Sequence, residues 1–197
     1  MLTHAKQLVI GVLGMQGDVH AHQRALEAAG ARTVIVREPD ELTQVDGLVL
    51  PGGESTTIGM LLERFGLMEP LRRRAVEGLP IFGTCAGVIL LADDIAGSPQ
   101  PRIGGLDVTV VRNAYGRQVD SFERELTVPS LGAAPLRGVF IRAPRIHRVG
   151  RAVEVLSETD AGPVLVRQGP LLGATFHPEL TPDSRVHAAF LALVRDP

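Results

Sequence analysis

The chain contains a single cysteine, Cys85, and its neighbours favour a chemical role for it. Gly83 and Gly87 flank it in the pattern G-x-C-x-G, between an apolar segment typical of a buried strand and one typical of a helix. Flanking glycines let a nucleophile occupy a tight strand-to-helix turn that projects its side chain above the sheet. N–H groups at the start of such a helix favour a thiolate and a developing oxyanion. The alternative is a small buried hydrophobe without a chemical role.

A nucleophilic cysteine usually needs a base beside it, and His177 is the candidate. It follows a predicted strand, and Glu179 stands two residues later. The carboxylate can hydrogen-bond one ring nitrogen and direct the other toward Cys85, while Pro178 stiffens the backbone between them. A solvated turn is the alternative for this His-Pro-Glu segment. With Cys85, the three residues predict a Cys-His-Glu triad.

The remaining histidines serve as a comparison, because none has a comparable carboxylate near a predicted strand end: His4, His20, His22, His147 and His187. The pair His20 and His22 has the spacing of two metal ligands. No cysteine or acidic cluster accompanies it, so we interpret it as a solvated turn at a helix start and predict no metal site.

The elements that must position the triad follow from the apolar pattern of the first half. Strands are predicted at 8–13, 33–36, 47–50 and 80–82, and glycine-containing loops at 14–18, 51–56 and 83–87. Helices are predicted from 18 to 28, after residue 56, through 71–76 and from residue 88. In an open parallel sheet, ligands bind beyond the carboxyl ends of the strands. The three loops are therefore expected to face one site.

The second half changes in character. Short β-like segments, separated by Gly, Pro and Asn, are predicted at 106–111, 119–128, 138–141 and 153–157, with a hairpin joining 164–167 to 171–176 and a closing helix at 183–194. These segments predict antiparallel additions to the parallel sheet. The fold class is α/β with a mixed sheet.

Composition limits the function classes. The 197 residues carry a formal charge of −2, with 45% hydrophobic and 21% charged residues, so neither a nucleic acid nor a membrane is an expected partner. A single cysteine excludes an internal disulfide and fits a reducing compartment, so we expect a cytoplasmic protein. The length fits one domain spanning 1–197.

Five motifs together carry a family resemblance: G-M-Q-G-D at 14–18, P-G-G-E-S-T at 51–56, G-T-C-A-G at 83–87, R-N-A-Y-G-R-Q at 112–118 and H-P-E at 177–179. The chain resembles the class I glutamine amidotransferases and, within them, the glutaminase subunits of pyridoxal 5'-phosphate synthase. The resemblance implies a flavodoxin-like three-layer αβα fold and a single glutaminase domain. It also implies hydrolysis of L-glutamine to glutamate and ammonia, without a cofactor, for vitamin B6 biosynthesis.

The resemblance assigns roles to residues. Cys85 would be the nucleophile, His177 the proton shuttle and Glu179 its orienting carboxylate. The oxyanion hole would comprise Gly53, Ala86 and Gln16, and glutamine would be held by Gly53, Glu54, Ser55, Arg112, Ile141 and Arg142. The ammonia would pass to a separate (β/α)8-barrel synthase subunit.

Two other functions stay open at this point. A cysteine peptidase or chaperone of the DJ-1 and PfpI kind also has a cysteine elbow, but its activating carboxylate comes early in the chain and it lacks a late H-P-E. A non-catalytic regulatory subunit would be expected to lack a member of the triad. All three members are present here.

Overall fold

The computed structural model describes residues 7–112 and 121–196. Within them the strands are β1 Val9–Leu13, β2 Arg32–Val36, β3 Gly47–Leu50, β4 Ile81–Thr84, β5 Ala92–Ile95, β6 Leu106–Val111, β7 Phe122–Leu126, β8 Leu136–Phe140, β9 Arg145–Val149, β10 Glu154–Thr159, β11 Gly162–Gln168 and β12 Leu171–Ala174. The α-helices are α1 Val19–Ala28, α2 Ser55–Arg64, α3 Met68–Val76, α4 Ala86–Leu91 and α5 Arg185–Arg195. Short 3-10 helices span Pro39–Gln44, Pro129–Leu131 and Pro178–Leu180.

The main sheet has seven strands in the order β10-β11-β12-β4-β3-β1-β2. The strands from β12 to β2 run parallel, in the arrangement of a flavodoxin-like doubly wound sheet. β11 is antiparallel to β12, and β10 is antiparallel to β11. The predicted mixed sheet, with antiparallel additions from the second half of the chain, is therefore confirmed.

Helices cover both faces of this sheet. Along β3, Leu48 and Leu50 pack into one apolar cluster with Ile58 of α2 and Leu71 of α3, whereas Val49 packs into the other. The second cluster takes in residues of α1 and α5. Side chains alternate across a strand, so strands with two apolar faces require helices on both. The three-layer αβα prediction is confirmed.

Two smaller sheets lie beside the main one, in the orders β5-β6-β9 and β7-β8. Sequence patterns did not predict β5 or β9. β5 has two exposed aspartates between its buried ends, and β9 is mostly basic, so neither shows a simple apolar alternation. The predicted strand at 119–128 begins outside the described residues, and its described part forms β7 from residue 122.

No helix within 7–112 and 121–196 combines the length and the apolar character needed to cross a membrane.

The cysteine elbow depends on close backbone packing. A Cβ on Gly87 would lie 2.1 Å from the carbonyl oxygen of Leu50, and one on Gly83 would lie 2.5 Å from the carbonyl carbon of Gly87. Real Cβ atoms do not approach other atoms this closely. The two glycines therefore allow α4 to begin directly against β3 and β4.

We expect Gly87→Ala to lower the free energy of unfolding by about 1–3 kcal/mol, because the new methyl group overpacks the elbow. An alanine with open space around it would instead raise stability by up to about 1 kcal/mol through its helix propensity. Urea unfolding measures the difference. Thr57→Ala, at an exposed position of α2, is the control and should stay within about 0.5 kcal/mol of wild type. A gain in stability for Gly87→Ala would contradict the packing argument.

Candidate active site

A cavity of about 340 Å³ opens beyond the carboxyl ends of β1, β3 and β4. Its lining comprises Gly17, Asp18, Gly52, Gly53, Glu54, Ser55, Cys85, Ala86, Ile89, Arg112, Ile141, Arg142, His177, Glu179 and Leu180. Residues from loops 14–18, 51–56 and 83–87 are all present, which confirms that the three loops share one edge of the sheet.

Cys85 stands between β4 and α4 with φ 49° and ψ −105°. A positive φ at a residue other than glycine costs about 1–3 kcal/mol, and surrounding contacts must maintain it. Its N–H donates to the carbonyl of Ala174 at 2.8 Å, which ties the elbow to β12. Ala86 is the first residue of α4, so its N–H has no acceptor within the helix. The elbow thus presents a thiol beside a free helix N-terminus.

His177 and Glu179 follow β12, the neighbour of β4 in the sheet. His177 Nδ1 lies 2.7 Å from Glu179 Oε1, and the short 3-10 helix beginning at Pro178 turns the carboxylate back toward the ring. The backbone N–H of His177 donates to the carbonyl of Val139 at 2.8 Å. Because Nδ1 is taken by the carboxylate, Nε2 is the nitrogen left for Cys85.

The surroundings of His177 and Glu179 favour the charged form of both side chains. Burial alone would lower the pKa of His177, but hydrogen bonds with Cys85 and Glu179 outweigh it and raise that pKa to about 10. Burial would likewise raise the pKa of Glu179, whereas the hydrogen bond from His177 and the proximity of His22 lower it. The imidazole is therefore protonated at neutral pH, and the carboxylate beside it is ionised.

The other end of the cavity carries a separate ion pair. Arg112 Nη2 lies 2.7 Å from Glu54 Oε1, and Arg112 Nη1 lies 2.7 Å from Gln100 Oε1. The second oxygen of Glu54 accepts the N–H groups of Thr56 and Thr57, so the same carboxylate caps α2. Hydrogen bonds to Gln100 and to the first turn of α2 therefore fix the positions of the guanidinium and the carboxylate.

Three further predicted site residues, Ser55, Ile141 and Arg142, line the same cavity. The Cys85 thiol is 3.8 Å from the carbonyl oxygen of Ile141, and Arg142 adopts a positive φ of 46°. Two such non-glycine residues at one cavity are typical of a functional site. The Ser55 hydroxyl donates to Gln100 at 3.2 Å.

Gln16 is the one predicted site residue outside the cavity lining. Its Oε1 accepts the N–H of Glu54 at 2.7 Å, so the side chain links loop 14–18 to loop 51–56. Its contribution to an oxyanion hole stays a prediction. Of the R-N-A-Y-G-R-Q motif, residues 113–118 lie outside the described part of the chain.

The interpretation of His22 as part of a solvated turn was wrong. The side chain is fully buried, with Nε2 at 3.1 Å from Thr84 Oγ1 and 3.5 Å from Glu179 Oε2, and Nδ1 at 3.1 Å from His187 Nε2. These partners are distant in sequence, so local pattern could not reveal them. The one available signal was the i,i+4 spacing of His22 and Leu26, which puts both on the buried face of α1.

Gln100 was also missed. It is buried, and its Oε1 accepts hydrogen bonds from Ser55, Thr56 and Arg112. No group of His, Cys, Asp and Glu residues suited to a metal ion occurs within 7–112 and 121–196.

The chain matches a known protein family and is similar to individual curated proteins. Residues 12–196 match the model of the SNO glutamine amidotransferase family. The pyridoxal 5'-phosphate synthase subunit PdxT of Frankia casuarinae is 60% identical over 188 residues, which cover 94% of each chain. The protein of the same name from Carboxydothermus hydrogenoformans is 54% identical over 185 residues, covering 94% of this chain and 97% of the relative.

Solved structures of other proteins also superpose on this chain. A crystal structure of a glutamine amidotransferase superposes with a TM-score of 0.90 at 50% identity, covering 94% of this chain and 98% of that one. The structure of PurLQS from Thermotoga maritima superposes with a TM-score of 0.71 at 18% identity, over 94% and 98% of the two chains. The second likeness concerns the fold alone.

We expect the pKa of His177 to fall from about 10 toward its ordinary value of 6.5 in Cys85→Ala and in Glu179→Gln, because each variant removes a hydrogen bond that favours the protonated ring. Burial, which favours the neutral ring, remains in both. NMR titration of the ring resonances measures the change. Thr57→Ala is the control, and an unaltered titration in both active-site variants would contradict this account of the charges.

Proposed function

The chain belongs to the SNO glutamine amidotransferase family, and from this premise we propose that it is the glutaminase subunit of a pyridoxal 5'-phosphate synthase, hydrolysing L-glutamine to glutamate and ammonia. The observation that carries the proposal is the arrangement of Cys85, His177 and Glu179 in one cavity. The Nδ1–Oε1 distance of 2.7 Å and the contact of Cys85 with the same imidazole are those of a nucleophile, a base and its orienting carboxylate.

The reaction begins with attack of the Cys85 thiolate on the side-chain amide carbon of glutamine. The carbonyl oxygen takes up the negative charge of the tetrahedral intermediate. His177 then donates its proton to the amide nitrogen, the carbon–nitrogen bond breaks and ammonia leaves. A water molecule, deprotonated by His177, attacks the resulting thioester, and collapse of the second tetrahedral intermediate releases glutamate and regenerates the thiolate beside the protonated imidazole.

The N–H of Ala86 is well placed by its position at the start of α4 to stabilise the intermediate, with that of Gly53 as the second donor. One such donor typically contributes about 10²- to 10³-fold in rate. Gln16 supports the loop carrying Gly53 through its bond to the N–H of Glu54. At the other end, Arg112 binds the α-carboxylate of glutamine through its planar fork, and Glu54 attracts the α-ammonium group. Ser55, Ile141 and Arg142 complete this end.

Free ammonia would be protonated in water, so the reaction needs a partner that receives it in a sheltered path. We assign that part to a (β/α)8-barrel synthase subunit, with the complex in the cytoplasm. The carboxylate that pairs with His177 lies late in the chain, unlike that of DJ-1 and PfpI proteins, which supports the glutaminase over a cysteine hydrolase of that kind.

We expect Cys85→Ala to lower glutamate release from L-glutamine by at least about 10³-fold, because no other group can form the thioester. Release is measured with and without the synthase barrel protein, and the wild-type rate is expected to rise with the partner. Activity retained by Cys85→Ala would contradict the mechanism. Absence of release from the wild-type complex would favour a non-catalytic regulatory subunit.

We expect Arg112→Met to raise KM for glutamine by about 10- to 100-fold with a smaller change in kcat, because it removes a charge-assisted contact to the α-carboxylate. Arg137→Met is the matched control, since Arg137 forms an exposed ion pair with Glu123 and neither residue lines the cavity. Steady-state kinetics of both variants test the assignment. An equal KM in the two variants would exclude Arg112 from substrate binding.

A further inference from the structure

A row of buried polar side chains continues from the triad into the core between the sheet and helices α1 and α5. His22 of α1 lies with Nε2 3.5 Å from Glu179 Oε2 and 3.1 Å from Thr84 Oγ1. Behind it, His187 of α5 lies with Nε2 3.1 Å from His22 Nδ1. Both imidazoles are 0% exposed, and each packs against Phe82 with the two rings roughly perpendicular.

His22 faces Oε2, the second carboxylate oxygen of Glu179. Oε1 is engaged by His177, whereas Oε2 is buried and has no hydrogen-bond partner by strict geometry among the described residues. A buried carboxylate oxygen without a donor is costly. The His22 ring, at 3.5 Å, is the nearby group able to turn an N–H toward it.

The hydrogen-bond partners of His22 and His187 determine which nitrogen of each imidazole carries the proton. Between His22 Nδ1 and His187 Nε2, one nitrogen must carry the proton and the other must accept it. If His22 Nδ1 carried the proton, the unprotonated Nε2 of His22 would face the Glu179 anion. The proton of a neutral His187 would then lie on Nδ1, which is buried and has no partner within 7–112 and 121–196. If His187 Nε2 carries it, His22 has Nε2–H, between Thr84 Oγ1 and Glu179 Oε2. Only the second arrangement puts a positive dipole against the carboxylate.

The charges around His22 support a neutral ring. Burial lowers its pKa and His177 lowers it further, while Glu179 and Asp18 act in the opposite direction without reversing the outcome. Burial and the neighbouring His22 lower the pKa of His187 to about 3. Two neutral rings can therefore relay hydrogen bonds toward Glu179 without adding a charge to the core.

We propose that His22 is a positioning residue for the reaction: its Nε2–H, fixed by His187 and shared with Thr84, holds the Glu179 carboxylate against His177. Thr84 precedes Cys85, so His22 also joins the triad carboxylate to the cysteine elbow. The inference rests on the proposed glutaminase function for its kinetic consequence only. The tautomer and the titration of His177 can be measured whatever the substrate is.

Two amide variants separate positioning from mere filling of the core. The amide nitrogen of His22→Gln extends as far as Nε2, whereas that of His22→Asn extends only as far as Nδ1. In the complex with the synthase, we expect His22→Asn and His22→Leu to lower kcat for glutamine about 10- to 100-fold, which is the typical cost of removing a group that orients a functional side chain. The KM for glutamine should change little. His22→Gln should retain an activity close to that of wild type, because its amide nitrogen can make the same contact.

The same variants should alter the titration of His177. Its pKa should fall in His22→Asn and His22→Leu, because a poorly held Glu179 supports the protonated ring less well, and should be retained in His22→Gln. A loss of thermal stability with kcat and the His177 titration unchanged would overturn the proposal. Equal activity in the Asn and Gln variants, or an effect on KM alone, would also overturn it.

Wild-type protein provides a test that does not depend on the folding of any variant. Two-bond ¹H–¹⁵N correlation spectra distinguish the two neutral tautomers of an imidazole, and we expect the Nε2–H form for His22. Observation of the Nδ1–H form would disprove the proposed contact. If wild-type protein has no glutaminase activity even with the synthase, the proposed function fails, and the tautomer still decides the contact to Glu179.

Discussion

The buried carboxylate of Glu179 is the group on which the rest of the site depends. Its side chain is only 2% exposed, and an anion in such a place must be compensated by close donors. His177 provides the main compensation and becomes more basic in return, with its pKa near 10. The protonation of the imidazole beside Cys85 therefore depends on the buried carboxylate of Glu179.

Backbone geometry fixes the distances that these charges require. β4 and β12 are adjacent and parallel, so the residues after them, Cys85 and His177, emerge side by side. The N–H of Cys85 donates to Ala174 of β12, and the backbone at Gly87 packs so closely on Leu50 of β3 that it leaves no room for a Cβ. Three neighbouring strands thus hold a conformation that the local sequence alone would not prefer.

Much of this arrangement follows from the sequence, and the exceptions have two physical causes. The parallel strands and their loops were predictable because apolar runs ending in glycine are local signals. Cys85, His177 and Glu179 were accessible for the same reason. His22 and Gln100 were not, because their partners come from distant parts of the chain and only packing brings them together. Strand β9 was missed because its exposed basic residues conceal its alternation.

The two ends of the cavity differ in a way that bears on turnover under the proposed function. The ion pair of Glu54 and Arg112 suits the α-ammonium and α-carboxylate groups, which are the same in glutamine and in glutamate. The opposite end distinguishes them, because Cys85 and the protonated His177 face the neutral amide of glutamine before the reaction and the new carboxylate of glutamate after it. Substrate and product therefore differ in charge only where they meet the catalytic residues, and discrimination between them falls to that end of the cavity.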